Sequence, residues 1–267
     1  MPISLVGSEM CIRDRYKVNI KLNEIANKTV IVSGGKGSMG VMVSNFINDL
    51  DDFDVIGIID PGENESTFKN FLISDDLVCD YIFEFAPASV VNENIKILAN
   101  NDAKLIIGSS GVNDESIKLL KNSDKGVALI PNFSAGAAFQ KVFSEQLSNT
   151  FKNVHIVEKH HSNKEDAPSG TSKDVASSLE KMNSEDIEGE YFATTEENSI
   201  NIYSLRSDDY LAEQEVVFSN TFEEFILEHK VNDRKAYLTG IEIVLREMEN
   251  VNSYVYGLET LMKEAMD

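Results

Sequence analysis

Residues 28–50 hold the feature that most narrows the choice of fold. After Lys28 comes a β-branched run, Thr29-Val30-Ile31-Val32, with no charged break. A run of that kind reads as a parallel strand buried on both faces. It leads into Ser33-Gly34-Gly35-Lys36-Gly37-Ser38-Met39-Gly40, in which Gly34, Gly37 and Gly40 recur at every third position. From Val41 to Leu50 the apolar residues Val41, Val43, Phe46, Ile47 and Leu50 mark a helix. A strand that turns on glycines into a helix lets the backbone approach a phosphate and offers it the helix's free amides. The context is that of a dinucleotide site contacted by Gly34, Gly37, Ser38, Met39 and Gly40, with G-x-x-G-x-x-G spacing instead of the commoner G-x-G-x-x-G.

The second strand, Val55-Ile56-Gly57-Ile58-Ile59, ends at Asp60. An acidic residue about twenty positions past the glycine turn is where an adenosine ribose is held. Asp60 would accept from two ribose hydroxyls and repel a 2′-phosphate, which favours NADH over NADPH. Asp60-Pro61-Gly62 is also an ordinary turn composition, and Lys36 is a cation in the glycine loop that could meet a phosphate.

Three further strand-like runs alternate with helical segments. Tyr81 to Phe85 leads to Ala86-Pro87 and a helix around Val90 to Ala99. Leu105-Ile106-Ile107 leads to Gly108-Ser109-Ser110-Gly111 and a helix from Asp114 to Leu120. Val127 to Ile130 leads to Pro131-Asn132-Phe133-Ser134. This alternation predicts an α/β fold, a Rossmann-like doubly wound parallel sheet. Its turns would open on the crevice at the carboxyl ends of the strands, where ligands sit. Beyond Phe133 the pattern changes. A helix at Ala135 to Asn149 precedes strand-like runs at Ile200 to Arg206, Glu215 to Phe218 and Glu224 to Lys230, and the polar stretch from Met182 to Ser199 reads as loop. These predict a second, α+β domain on an open mixed sheet. The expected division is 28–132 plus 241–267 for the dinucleotide domain and 133–240 for substrate binding and oligomerisation, with a helix from Arg234 to Met248 at the join.

Composition narrows the partners. A net charge of −21 argues against nucleic acid. No run of eighteen apolar residues suggests a membrane span. Cys11 and Cys79 are too few for a disulfide framework, which suits a reducing cytoplasm, and no spaced His/Cys cluster predicts a metal. Residues 1–27 form a leader outside the fold. Met1 to Arg15 looks like translated sequencing-adapter read-through and is expected to be disordered.

The densest chemistry lies in Glu158-Lys159-His160-His161-Ser162-Asn163-Lys164-Glu165-Asp166-Ala167-Pro168-Ser169-Gly170-Thr171. It follows a short strand-like run, Val154 to Val157, and precedes a helix read from Ser172 to Met182. Two histidines able to exchange a proton near neutral pH stand beside a lysine and an anion-binding helix start. The same features also suit a solvated loop and an ordinary helix cap.

Glu-x-His-His-x-x-Lys-x-Asp-Ala-Pro-Ser-Gly-Thr resembles the signature of the 4-hydroxy-tetrahydrodipicolinate (dihydrodipicolinate) reductase family. The glycine spacing, Phe85-Ala86-Pro87, Gly108-Ser109-Ser110-Gly111 and Pro131-Asn132-Phe133-Ser134 resemble the same family in order, over about Lys28 to Gly240. The resemblance implies NAD(P)H-dependent reduction of a cyclic dicarboxylic imine in lysine and diaminopimelate synthesis. It implies His160 as proton donor assisted by Lys164. Substrate would be held by His161, Ser169, Gly170 and Thr171, and the cofactor also by Phe85, Gly108, Ser109, Ser110, Pro131, Asn132 and Phe133. It further implies a cytoplasmic homotetramer. One departure stands out: Ala212-Glu213-Gln214 replaces a Gly-Glu-His of the family. Another nicotinamide-dependent dehydrogenase, or a nucleotide-sensing protein without catalysis, are the alternatives.

Overall fold

The structure, a computed structural model, describes residues 27–62, 66–179, 182–184 and 186–266, with side chains as far as Met262. The disorder expected for Met1 to Arg15 falls on residues outside that set.

The first half alternates as its sequence requires. β1 (Lys28–Ser33), α1 (Ser38–Asn48), β2 (Phe53–Ile59), β3 (Asn70–Phe71), β4 (Tyr81–Glu84), α2 (Val91–Leu98), β5 (Lys104–Ile107), α3 (Asp114–Lys121) and β6 (Val127–Leu129) follow one another. Every pairing among these strands is parallel. Successive β1 side chains serve opposite faces, as strand geometry dictates. Val30 and Val32 pack with Val43 and Ile47 of α1, and Ile31 packs with Val91, Ile95 and Leu98 of α2. All these side chains are fully or almost fully buried, which is why the run carries no polar alternation.

The second half is built on α4 (Ala135–Leu147), β7 (Asn153–His160), α5 (Gly170–Ser178), β8 (Asn183–Ser184), β9 (Ala193–Glu197), β10 (Ile200–Arg206), β11 (Ala212–Asn220) and β12 (Glu223–Val231). Its sheet runs β12-β11-β7-β10-β9, with β8 beside β7, and mixes parallel with antiparallel pairs. Val154 and Ile156 of β7 pack with Val175, Ala176 and Leu179 on or just beyond α5. The chain then returns through α6 (Ala236–Glu247), β13 (Tyr254–Tyr256) and α7 (Leu258–Met266). β13 pairs with β6, which completes a seven-stranded sheet in the order β13-β6-β5-β4-β1-β2-β3. Ile241, Val244 and Leu245 of α6 join the core beneath α1. Gly240 allows this: a Cβ there would lie 1.9 Å from the Phe133 carbonyl oxygen.

Three local expectations are corrected. β7 is longer than the Val154 to Val157 run, extending from Asn153 to His160, so that His160 stands at the strand end. α5 starts at Gly170 and stops at Ser178, because Leu179 is already extended. The Met182 to Ser199 stretch contains β9, an edge strand whose Thr-rich sequence pairs antiparallel with β10. Among the described residues, no helix is long and apolar enough to cross a membrane.

Candidate active site

The glycine turn is shaped by close approach. Gly34 has φ +69°, and a Cβ there would lie 2.7 Å from the Phe85 carbonyl carbon. Gly40 is packed as tightly, its Cβ position falling 2.3 Å from the Gly34 oxygen. Gly37 is the N-cap of α1 and has no side chain to occupy the first-turn amides. A helix start without a side-chain cap leaves its donors for an anion. At the end of β2, Asp60 accepts from the amides of Lys36 (3.2 Å) and Gly62 (3.1 Å). The Lys36 ammonium donates to the Gly62 carbonyl at 2.6 Å. Asp60 and Lys36 thus edge the same rim, the anion and the cation foreseen there.

The turn after β5 is different. Gly108 is wedged between aromatic rings; a Cβ would lie 2.4 Å from Phe85 and 2.6 Å from Phe133. Phe85 and Phe133 have ring centroids 5.8 Å apart and support this turn from beneath. The Ser109 hydroxyl donates to the Glu84 carbonyl at 3.0 Å, so it braces the turn, whereas Ser110 is exposed. Glu84 ends β4 and is buried. Its carboxylate accepts from the Ala86 amide (2.6 Å) and the Asn94 side chain (3.1 Å). Burial raises its pKa, and the hydrogen bonds from Ser33, Ala86, Asn94 and Ser109 only partly offset that.

A cavity of about 600 Å³ brings the Gly108-Ser109-Ser110 turn together with Pro131, Asn132, His160, Lys164 and Ser169-Gly170-Thr171. The glycine loop, Asp60, Phe85 and Phe133 do not line it. Gly35 and Lys36 edge a separate cavity of about 340 Å³ beside Phe68. His161 lies in an adjoining cavity of about 490 Å³ with His160, Lys164, Arg234 and Tyr237. At the start of α5 the Ser169 hydroxyl caps the Ser172 amide at 3.2 Å. Thr171 Oγ1 accepts from the Asn132 side chain at 3.0 Å. A Cβ on Gly170 would meet nothing within 4 Å, so the helix start faces open space. Lys164 Nζ is paired with Asp166 (2.6 Å), and that ammonium holds the Asp166 carboxyl below its ordinary range.

Cross-strand rows explain why chemistry appears where it does on β7. Ile156 lies between Ile202 and Val216, an apolar row. One pleat on, Glu158 lies between Ser204 and Gln214, and His160 between Arg206 and Ala212. Glu158 is fully buried. One carboxylate oxygen contacts His160 Nδ1, and the other is 3.0 Å from Arg206 Nη1. Burial would raise its pKa, but hydrogen bonds from His160 and Ser204 and the charges of His160 and Arg206 outweigh it, and the pKa is lowered. Lys159 points to the other face and pairs with Glu215.

Glu158 and Arg206 were missed as functional candidates. The available signal was Glu158 itself, an acidic residue closing an apolar strand, where only a buried partner could keep it. Gln214 answers the Ala212-Glu213-Gln214 departure. Buried, it accepts from Ser172 Oγ at 2.5 Å and donates to Gln140 at 2.9 Å. It supports the helix cap from below.

Comparison with known proteins agrees with this layout. The family model "Dihydrodipicolinate reductase, N-terminus" matches residues 28–133, and "Dihydrodipicolinate reductase, C-terminus" matches residues 132–262. A 4-hydroxy-tetrahydrodipicolinate reductase of Streptococcus pneumoniae strain P1031 is 32% identical over 254 residues, 87% of this chain and 98% of that protein. The dipicolinate-bound dihydrodipicolinate reductase from Paenisporosarcina sp. TG-14 superposes with a TM-score of 0.74 at 21% identity, over 88% of this chain and 99% of that one. A myo-inositol dehydrogenase from Lactobacillus casei in complex with NAD(H) and myo-inositol reaches 0.63 at 12% identity, over 88% and 90%, a likeness of fold alone. From its two matched family models and its identity to the pneumococcal reductase, the chain belongs to the dihydrodipicolinate reductase family, and it is a nicotinamide-dependent oxidoreductase.

Proposed function

We propose that the 600 Å³ cavity carries out the reduction of 4-hydroxy-tetrahydrodipicolinate to tetrahydrodipicolinate, in lysine and diaminopimelate synthesis, with His160 as proton donor. The observation that carries this reading is the meeting of one turn from the first sheet with His160, Lys164 and the α5 start in one cavity.

The residues present fit a nicotinamide dinucleotide. Gly34, Gly37 and Gly40 make a cradle that a Cβ would fill, and the Ser38 and Met39 amides lie at an α1 start without a side-chain cap. Asp60 has room for ribose hydroxyls beyond its two amide contacts, and its charge favours NADH over NADPH. Gly108, Ser110, Pro131 and Asn132 would face the nicotinamide end, with Phe85, Ser109 and Phe133 bracing them. When bound, the cofactor supplies the hydride.

The chain's own residues do the rest. Lys164 exchanges Asp166 for a substrate carboxylate. The amides of Gly170 and Thr171, with the Ser169 and Thr171 hydroxyls around them, receive the second carboxylate at the α5 start. His160 delivers a proton from the strand end, and His161 contacts substrate from the adjoining cavity. The enzyme works in the cytoplasm as a homotetramer. Its subunits pack through the second sheet, where Phe225 and Ile226 of β12 are about half-exposed and Phe222 is 98% exposed at the adjoining turn.

Freshly generated substrate assayed with NADH and with NADPH tests the reaction and the cofactor choice together. Turnover of His160→Gln should fall by about 10²–10⁴-fold with little change in cofactor affinity. Near-wild-type turnover in the folded variant would move the donor to His161 or water. A tenfold preference for NADPH, about 1.4 kcal/mol, would shift the choice from Asp60 to Lys36.

A further inference from the structure

We propose that Glu158 is the positioning residue of the proton donor, and that Arg206 ties it to the loop carrying Lys164. This rests on the reading of His160 as the donor. The observation beneath it is the pair of cross-strand rows on β7. A carboxylate with no exposed surface belongs in a strand only if its charge is met. Here it is met by two groups: His160 Nδ1 on one oxygen and Arg206 Nη1 on the other. Ser204, its neighbour in register on β10, adds a hydroxyl.

The consequence for His160 is geometric. Nδ1 is the ring nitrogen turned inward, and the side chain, 17% exposed, lines both cavities. A proton on Nδ1 that is donated to Glu158 stays there through the cycle. The proton that moves is therefore the one on Nε2. Its N–H bond breaks as the substrate's new bond to hydrogen forms, leaving a neutral ring still donating from Nδ1, and solvent restores the Nε2 proton. Glu158 selects the nitrogen and the ring orientation without touching substrate.

Arg206 does two things with one guanidinium. Nη1 holds Glu158 as an anion, so the carboxylate does not compete for the moving proton. Nε donates to the Lys164 carbonyl at 3.0 Å and Nη2 to the Asp166 carbonyl at 2.7 Å. Its side chain is only 5% exposed; the contact to Lys164 is partly buried and the contact to Asp166 lies at the surface. The donor and the carboxylate-binding lysine are thus placed by the same planar group, whose fork geometry a lysine does not reproduce.

The test combines kinetics with a spectrum. Glu158→Gln should lower kcat by about 10–100-fold while substrate KM changes by less than about threefold. The double variant Glu158→Gln/His160→Gln should be no slower than His160→Gln alone, because the two act as one unit. Arg206→Lys should lower kcat and raise KM together. In the wild type, labelled with ¹⁵N at its four histidines, the His160 resonance, assigned by its loss in His160→Gln, should show the neutral ring protonated on Nδ1. A Glu158→Gln enzyme within twofold of wild-type kcat, multiplicative effects in the double variant, or a neutral ring protonated on Nε2 would each overturn the proposal. The spectrum decides it if the Glu158 variants do not fold. Wild-type turnover in His160→Gln would instead sink the reading of His160 beneath it, a distinguishable result.

Discussion

Two buried glutamates, one in each sheet, show how the same residue type is put to opposite uses. Glu84 closes β4 and Glu158 lies one pleat before the end of β7; their exposures are 1% and 0%. Among the described residues the partners of Glu84 are neutral: a backbone amide, an asparagine and serine hydroxyls. The partners of Glu158 include an arginine and a histidine. Burial acts on both in the same sense: at Glu84 it outweighs the neutral donors and the pKa is raised, whereas at Glu158 the hydrogen bonds from His160 and Ser204 and the charges of His160 and Arg206 outweigh it and the pKa is lowered. Glu84 therefore serves as a hydrogen-bond hub that fixes turns, whereas Glu158 serves as a charge that fixes a histidine. A carboxyl group's burial is uninformative about its role until its partners are known.

The comparison can be broken most severely at Arg206. Arg206→Leu leaves Glu158 as a buried, half-compensated charge and should cost about 3–5 kcal/mol of stability, read as a lower urea midpoint. Arg206→Leu combined with Glu158→Leu should recover part of that loss, because the uncompensated charge is gone. The matching change in the other sheet should be milder. Glu84→Gln keeps an acceptor for the Ala86 amide but offers a donor where Asn94 also donates. It should cost about 1 kcal/mol and raise the KM for cofactor through the Ala86 and Ser109 turns, leaving substrate KM near wild type.

Acidity separates the two without any large change in fold. The folded pKa of Glu158 lies below its ordinary 4.5, so the stability it adds is complete above that value and is lost as pH falls through the folded value. The folded pKa of Glu84 lies above 4.5, so its contribution is complete below that value and is lost as pH rises through the folded value. Thermal midpoints between pH 3 and pH 8 should thus show Glu84→Gln gaining on the wild type as pH rises. Glu158→Gln should fall further behind over the same range. Parallel curves for all three proteins would show that partner charge is not what distinguishes the two sites.

The smallest effect is expected at the cap. Thr171→Val removes the acceptor for Asn132 but leaves the α5 amides in place. It should raise substrate KM a fewfold at unchanged kcat, and a fall in kcat instead would mean that the cap orients the donor as well as binding substrate.

Much of the first sheet was legible because its signals are local. Val30-Ile31-Val32 is apolar on both sides since both faces of β1 are covered, and the Gly34 to Gly40 spacing reports close backbone contacts that glycine alone permits. The motif from Glu158 to Thr171 stood out as a candidate site for the same reason: its residues are near neighbours in the chain. Other elements lacked local signals. β9 is a polar edge strand, defined by its pairing with β10 rather than by its own sequence. β13 is three residues long and exists through β6. α5 ends at Ser178 although apolar spacing continues to Met182, because Leu179 turns extended while still entering the core.

What the sequence determined by itself was the order of elements, the glycine cradle and the set of residues able to bind anions and move a proton. Each follows from backbone freedom or side-chain chemistry within a few residues. What only the tertiary structure decided was which groups act on one another. Glu158 meets Arg206 because β7 and β10 pair in one register, and Gln214 reaches Ser172 because β11 pairs with β7 on the sheet face against which α5 begins. A shift of that register by one residue would turn Glu158 to the opposite face and leave Arg206 without its carboxylate, since strand side chains alternate with a period of two.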